Sequence, residues 1–473
     1  MNRQNIWLHL GLAVGLIVIA AIIGQIRSWE SQELQITQTS QPQSTKACAT
    51  SRSLQEREPE VLVRFRQDVS LADIRKIAAR NNDLLEDEIE SVGNLVSIDD
   101  LDNRSPQQVA EEYKRLGDMV EYAEPNFQIN LGPVTPVENL SSQEPDNAEN
   151  LPNDPYFAVQ WALRNSGQNS GKENADIDAL KAWAKTKGKS DIVVAVLDTG
   201  VDYTHQDLIE NIWQRPDSVP AYKDDELGSF DDLHGYNSAE NSRDPMDDNG
   251  HGTHCAGVIG AEGDNGEGIA GINWKVQIMP LKFLGKGGFG TTKNAIESIN
   301  YAIDRKKAGV NVRVISASWG STQYSRALED TIRKAGEEGI LFVAAAGNAS
   351  TDNDKFPHYP SSYKVPNVIS VAALDRSDAL ASFSNYGAKT VHIAAPGKEI
   401  ISTWIKSGYR EASGTSMATP QVAGVAALVL SVEPNLSVEK LRERILKSVD
   451  RLDILNGKIE NSGRLNAAKA IGE

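Results

Sequence analysis

The first hydrophobic pattern in the chain is an apolar run from Ile6 to Ile26 behind one arginine. Its dense part, Leu10 to Ile23, has the length of a signal peptide, whereas the whole run is long enough to span a bilayer. No clean small-residue cleavage site follows the run, which favours an uncleaved anchor over a cleaved signal. Both interpretations of residues 1–27 place the rest of the chain outside the cytoplasm, either secreted or membrane-anchored through residues 6–26.

A second pattern, of short strands and amphipathic helices, occupies residues 59–131 and follows a polar stretch at 28–58 that has no hydrophobic period and is predicted to be a flexible tether. Strand-like and helical segments alternate in the order "EVLVRFR", "SLADIRKIAARNN", "NLVSID", "SPQQVAEEYKRLG" and "VEYAEPNFQIN". This order predicts a small α+β domain. Residues 132–152 show no hydrophobic periodicity and are rich in Pro, Asn, Ser and Glu, so we expect a cleavable linker there.

The third pattern begins at about residue 153, where short, continuously apolar runs alternate with helices. The runs are "DIVVAVLDTG", "VQIMPLKFLG", "VRVISASWG", "ILFVAAAGN", "VISVAAL" and "VHIAAPG". Continuous apolarity is typical of strands buried on both faces, so residues 153–473 are predicted to form an α/β domain. Its sheet should be doubly wound and mostly parallel, with helices on both faces. Because ligands bind beyond the carboxyl ends of such strands, attention falls on Asp198, Ser318 and Asn348.

Charge and cysteine content narrow the classes of function. The chain of 473 residues has 48 Lys+Arg and 65 Asp+Glu, a formal net charge of -17, which argues against a nucleic-acid partner. Acidic loops rich in Asp, Asn and Gly can instead hold calcium. With only two cysteines, Cys48 and Cys255, the chain has neither a disulfide framework nor a four-thiolate zinc site, and we expect no disulfide.

Four polar residues carry a consistent chemistry. Asp198 closes a buried strand, His251 lies in the glycine-rich "NGHGTHCAGVIG", and Ser416 falls in the first turn of a predicted helix in "GTSMATP". A serine nucleophile needs a base for its proton, a carboxylate to orient that base and a donor for the oxyanion. Asn348, at the end of another strand, can be that donor.

The motifs "DTGVD", "HGTHCAG", "AAAGN" and "GTSMATP" together resemble those of the subtilisin-like serine peptidases, and "PNDPYF" with "HGTHCAG" resembles their thermitase-like branch. The resemblance covers about 153 to 472 and implies a catalytic triad of Asp198, His251 and Ser416, with Asn348 as oxyanion donor. Residues 59–131, ending in "EYAEPNF", resemble the family's inhibitory propeptide, a ferredoxin-like α+β fold. The expected function is an exported serine endopeptidase, made as a zymogen, that hydrolyses protein or peptide substrates.

The resemblance also implies two binding regions. Extended substrate would lie between two backbone walls, Gly288, Phe289 and Gly290 on one side and Ser318, Trp319 and Gly320 on the other. Structural calcium would be bound by Asp154, Asp207 and Asn265 together with the backbone carbonyls of Glu262, Glu267 and Ile269. The acidic insert at 223–248 has no EF-hand spacing and stays unassigned. His358 stands where small residues often line the floor of the primary specificity pocket, with Asp352 and Asp354 nearby in sequence.

Two other classes of function stay open at this stage. One is a non-catalytic scaffold of the same fold that binds partners at a membrane surface. The other is metal-dependent hydrolysis through His251 and His254, although the chain has no HExxH motif. The preferred interpretation makes His251 a proton shuttle, with His254 and Cys255 packed beneath the site on a helix.

Overall fold

In the computed structural model, the described residues are 61–132, 137, 151–224, 228–239 and 244–473. All of them lie within one compact unit, Glu58–Glu473. The predicted signal or anchor at 1–27, the tether at 28–58, Cys48 and most of the linker at 132–152 lie outside the described residues.

The small domain, residues 61–131, has the strand and helix order of a ferredoxin-like fold. Its elements are β1 (Val61–Phe65), α1 (Leu71–Arg80), β2 (Asp83–Glu88), β3 (Leu95–Asp100), α2 (Pro106–Lys114), β4 (Val120–Pro125) and β5 (Gln128–Asn130). The first four strands form an antiparallel sheet in the order β2-β3-β1-β4. Ser70 and Ser105 cap the two helices, whose apolar sides pack on the sheet through Ile74, Val109 and Tyr113.

The large domain, residues 151–473, contains a nine-stranded sheet in the order β18-β19-β15-β14-β13-β12-β6-β10-β9. The strands in that sheet are β6 (Gly188–Asp198), β9 (Tyr236–Asn237), β10 (Lys275–Lys282), β12 (Val312–Ala317), β13 (Leu341–Ala345), β14 (Val368–Leu374), β15 (Ile393–Pro396), β18 (Val449–Arg451) and β19 (Gly463–Leu465). Its pairs are parallel except the edge pair of β18 with β19. All six apolar runs are therefore strands of one sheet, and the predicted α/β fold is confirmed.

Helices cover both faces of this sheet. They are α3 (Ala179–Lys185), α4 (His251–Gly260), α5 (Thr292–Lys307), α6 (Arg326–Glu337), α7 (Thr415–Val432), α8 (Val438–Lys447) and α9 (Ala467–Ala470). Two large apolar clusters result, one that joins α4 and α7 to the sheet and one that joins α5 and α6 to its other face. Short strands outside the sheet are β7 (Lys223–Asp224) with β8 (Gly228–Ser229), β16 (Ile400–Trp404) with β17 (Gly408–Ala412), and β11 (Phe289–Thr291).

Helix α7 is the one helix among the described residues that is long and apolar enough to cross a membrane, with a mean hydropathy of 1.4. It is 94% buried inside the fold, as expected of a core helix. Strand β2 was not predicted, because its segment "DLLEDE" contains four acids and no alternating apolar pattern.

Candidate active site

Asp198 and His251 form the most buried polar pair of the candidate site. Asp198 ends β6 and is 0% exposed, and His251 begins α4 and is 1% exposed. The distance from His251 Nδ1 to Asp198 Oδ1 is 2.7 Å, and the backbone N–H of Thr199 donates to the same oxygen at 2.8 Å. A carboxylate buried this deeply is stable only when it is hydrogen-bonded, so the pair fixes the orientation of the imidazole.

The glycine after the strand allows the close approach of these elements. Gly200 has φ of +97°, and a Cβ there would lie 2.3 Å from the Pro245 carbonyl oxygen. Gly252 is packed as tightly, because its Cβ would lie 2.0 Å from the Gly200 oxygen. Only glycine fits at these two positions, which explains the spacing of glycines around the histidine.

Ser416 lies in the first turn of α7, as the sequence predicted. Its hydroxyl donates to the Ser318 carbonyl at 2.9 Å, while Nε2 of His251 is buried with no hydrogen-bond partner. A second contact stabilises the same turn, because the Cys255 thiol donates to the Ser416 carbonyl at 3.5 Å. The serine therefore stands at a helix N-terminus, where the macrodipole favours negative charge.

Asn348 follows β13 and is oriented by Thr415, the residue before the serine. Its Oδ1 accepts hydrogen bonds from the backbone N–H of Thr415 at 2.8 Å and from the Thr415 hydroxyl at 2.9 Å. Because the amide oxygen accepts both of these bonds, the NH₂ group of the side chain remains available as a donor.

His254 and Cys255 lie in α4 beneath the site and are fully buried. Nε2 of His254 lies 3.0 Å from the Ile400 carbonyl and 3.2 Å from that of Arg410, and burial lowers its pKa to about 3. Burial also raises the pKa of the Cys255 thiol well above its ordinary value. His254 is thus a neutral core histidine whose Nε2 faces backbone carbonyls, a position that does not favour the alternative of a metal pair with His251. Asp198, His251 and Cys255 do bring three possible ligand atoms within 4.8 Å of one another.

One of the two expected substrate walls is occupied by the small domain. Strand β5 pairs antiparallel with β11, with Ile129 opposite Gly290 and Asn130 opposite Phe289, and the N–H of Leu131 donates to the Gly288 carbonyl at 2.8 Å. Farther along the chain, Val137 forms an isolated antiparallel bridge with Glu411 in β17. Leu131 thus pairs with the segment at Gly288, and Val137 with a strand that ends four residues before Ser416.

In the second expected wall, the side chain of Trp319 points into the protein interior. The indole is 3% exposed, donates to the Leu197 carbonyl at 2.9 Å and packs on Phe283 with ring centroids 4.6 Å apart. Together with Ile129 it belongs to the apolar cluster under the cleft, so its side chain forms the floor and not an exposed rim. Phe289 is 49% exposed. Asp352 and Asp354 bond to Lys355 and to Thr390, away from the site.

Three residues expected to bind calcium, Asp154, Asp207 and Asn265, are connected through one loop. Asp154 and Asp207 are buried, and the loop bonds to them through the N–H groups of Asp264 at 2.8 Å and Ile269 at 3.0 Å. Burial raises the pKa of Asp154 to about 6 and that of Asp207 to about 7. Oδ1 of Asp154 is buried without a partner, and the Asn265 amide donates to Asp207 at 2.9 Å. The unsatisfied oxygen of the buried Asp154 carboxylate suits a hard cation.

Comparison with known proteins agrees with this arrangement. The model of the subtilase family, peptidase S8, matches residues 189–469, and that of the fervidolysin N-terminal prodomain matches residues 43–126. A thermophilic serine proteinase from Bacillus sp. (strain AK1) is 34% identical over 87% of this chain and 87% of its own. Thermitase from Thermoactinomyces vulgaris is 37% identical over 68% of this chain and 99% of its own.

A solved structure agrees at the level of the fold. A structure titled as proteases from Pseudoalteromonas arctica PAMC 21717 aligns with a TM-score of 0.55 and 27% identity, covering 68% of this chain and 98% of that one.

Proposed function

The chain belongs to the subtilase family of serine peptidases, which hydrolyse peptide bonds, and carries an N-terminal prodomain; from this premise we propose that it is an exported endopeptidase made as a zymogen. Its triad is Asp198, His251 and Ser416, with Asn348 as oxyanion donor. The observation that carries the proposal is the buried 2.7 Å contact between His251 and Asp198. The helix that begins at His251 also contacts Ser416, through the Cys255 thiol.

Catalysis begins when the Ser416 hydroxyl rotates from the Ser318 carbonyl to the unpartnered Nε2 of His251. His251 takes the hydroxyl proton as Oγ attacks the substrate carbonyl, and Asp198 stabilises the imidazolium that forms. The negative charge on the carbonyl oxygen is met by the amide of Asn348 and the backbone N–H of Ser416. His251 then gives its proton to the leaving amine, and a water molecule, activated in the same way, releases the acyl group.

The prodomain acts as an intramolecular inhibitor because its strand β5 takes the place of an extended substrate on Gly288 to Gly290. Ser318, Trp319 and Gly320 supply the opposite side of the cleft, with the indole beneath it. The domain boundaries that fit this arrangement are a prodomain at 59–131, a cleavable linker at 132–152 and a peptidase domain at 153–473.

Calcium would be held by Asp154, Asp207, Asn265 and the carbonyls of Glu262, Glu267 and Ile269. A bound calcium ion would neutralise the buried carboxylates of Asp154 and Asp207. It would thereby hold the loop at 264–269 against the start of the peptidase domain. The Asn265 amide must turn for its oxygen to serve, because that oxygen now accepts from the Glu267 N–H at 2.8 Å. Export, as a secreted or an anchored protein, is supported by the apolar run at 6–26 and by a relative named cell wall-associated protease, from Bacillus subtilis.

The decisive experiment compares the full-length chain with its Ser416→Ala variant. The wild type should cut its own linker and label with a fluorophosphonate probe, whereas the variant should stay full-length and unlabelled. Amino-terminal sequencing of the mature form would locate the cut and report whether residues 6–26 are removed. Intramolecular cutting by the variant would overturn the triad, and an intact, unlabelled wild type would favour the non-catalytic scaffold.

A further inference from the structure

The side chain of His358 lies between two glycines beside the candidate catalytic centre. A Cβ placed on Gly320 would come within 2.1 Å of the Cε1 atom of the ring, and one on Gly347 would come within 3.1 Å of its Cδ2 atom. The ring therefore fills the space between the segment that follows β12 and the segment that follows β13.

Both of these segments hold the reacting groups. Gly320 lies two residues beyond Ser318, whose carbonyl accepts from Ser416, and Gly347 immediately precedes Asn348. Under the proposed function, an acyl-side residue whose carbonyl lies between Ser416 and Asn348 would place its side chain in the gap between the two segments. His358 stands in that gap.

The position of His358 is fixed by its backbone and by its ring. Tyr359, the next residue, exchanges two backbone hydrogen bonds of 2.7 Å with Ser321, and the His358 carbonyl accepts from the Ser361 hydroxyl at 2.7 Å. The ring is packed between Gly320 and Gly347, and its Nδ1 atom is buried with no hydrogen-bond partner. The backbone on both sides of the ring is therefore fixed, and the residue is only partly exposed.

The imidazole also sets the polarity of the gap. Burial lowers the pKa of His358 to about 4, so the ring is neutral near pH 7 and offers no positive charge to an acidic side chain.

On the basis of the proposed function, we propose that His358 closes the far end of the primary specificity pocket and restricts the acyl-side residue to small uncharged side chains. Alanine, serine, threonine and valine fit the shortened pocket, whereas phenylalanine and tyrosine would collide with the imidazole.

The chain's own linker offers side chains of this class. Between Leu131, which pairs with Gly288, and Val137, which pairs with Glu411, the sequence is Gly-Pro-Val-Thr-Pro. No residue of that stretch carries an aromatic ring or a charge.

The test measures kcat/KM of the activated enzyme on peptides that differ only in the acyl-side residue, which is alanine, valine, phenylalanine or glutamate. The wild type should prefer alanine or valine to phenylalanine, with glutamate poor at pH 7. His358→Ala should raise the ratio of phenylalanine to alanine by about 10- to 100-fold, as expected when steric exclusion is relieved. His358→Gln, which keeps much of the bulk, should leave the ratio close to the wild-type value.

Phe356→Ala is the matched control, since it removes a side chain of the same loop that is 66% exposed. A wild type that prefers phenylalanine, or a ratio that His358→Ala leaves unchanged, overturns the proposal. Should His358→Ala fail to label with a fluorophosphonate, the wild-type series together with His358→Gln still decides it. An unlabelled wild type would refute the proposed function, whereas a labelled wild type that prefers phenylalanine would refute the pocket assignment alone.

Discussion

Three residues of the site are each hydrogen-bonded to a backbone group. Asn348 is oriented by Thr415, Ser416 by Ser318, and Asp198 by the N–H of the residue after it. Fixing polar groups before the substrate arrives lowers the cost of meeting a developing charge, because no reorganisation is needed during the reaction. The reactive geometry therefore depends on the ends of four buried elements and not on surface loops.

Replacing Asn348 by alanine removes one of two oxyanion donors. We expect kcat to fall by about 100- to 1000-fold with KM nearly unchanged, because the lost hydrogen bond strengthens only in the transition state. The measurement is steady-state kinetics on enzyme counted by fluorophosphonate titration. A raised KM together with a lowered melting temperature would mean instead that Asn348 acts through its bonds to Thr415.

The sequence predicted which residues belong to the candidate site better than it predicted where their side chains point. Asp198 ends a strand and Ser416 begins a helix that periodicity predicted, whereas His251 was found in a glycine-rich segment through its motif. The direction of Trp319 could not be predicted, since it depends on Phe283 and Leu197 from other strands. The same holds for His358, whose place between two glycines follows from a loop conformation that periodicity does not encode.

At the scale of elements, a prodomain residue caps the N-terminus of helix α6. The Glu124 carboxylate accepts hydrogen bonds from the Ser325 hydroxyl at 2.5 Å, from the N–H of Arg326 at 2.9 Å and from that of Ala327 at 3.2 Å. Asp330, one turn farther along, accepts from the Tyr122 hydroxyl at 3.0 Å. The first turn of this helix would expose its N–H groups to water when the prodomain leaves.

Glu124→Ala should therefore loosen the start of α6 in the uncut chain. In a Ser416→Ala background, amide hydrogen exchange at Arg326 and Ala327 should accelerate about tenfold, the effect of losing one charge-assisted hydrogen bond. Glu111→Ala is the control, because that exposed prodomain residue bonds to its neighbour Lys114. Equal exchange in both variants would show that Glu124 contributes nothing to the contact.

Strand β2 shows where prediction of elements failed. Its acids are accommodated by partners distant in sequence, as Tyr113 and Arg104 bond to Asp83, and Lys293 of the large domain lies 3.3 Å from Asp87. Burial raises the pKa of Asp83 to about 6. A segment of this composition forms a strand only because tertiary contacts override its weak strand propensity, which a local pattern cannot reveal.

For the molecule as a whole, calcium should contribute to stability. A ligand present at 100 times its Kd stabilises the folded state by about 2.7 kcal/mol. Chelation with EGTA should lower the melting temperature of the uncut Ser416→Ala chain, and the double variant with Asp207→Asn should start lower and respond little. Asp191→Asn, at an exposed position, serves as the control. Equal melting of the uncut chain with and without EGTA would argue against the site.

The prodomain covers the cleft by burying one side chain of β5. Ile129 is 2% exposed and shares an apolar cluster with Trp319, Phe283 and Leu284, whereas Gln128 and Asn130 point outward. The alternation means that the strand presents a single apolar contact to the large domain, in addition to its backbone pairing. Removing that contact should open the cleft without unfolding either domain.

Ile129→Asp in the uncut Ser416→Ala chain tests this directly. A carboxylate in the apolar cluster would cost several kcal/mol unless the strand withdrew, so we expect β5 to leave the cleft. A fluorescent peptide with an apolar extended sequence should then bind the double variant and change its polarisation, while Ser416→Ala alone excludes it. Gln128→Asp changes the charge by the same amount on the exposed side of the strand and should still exclude the peptide. If the peptide bound all three chains alike, the cleft would be open in the zymogen and inhibition would have to arise elsewhere in the molecule.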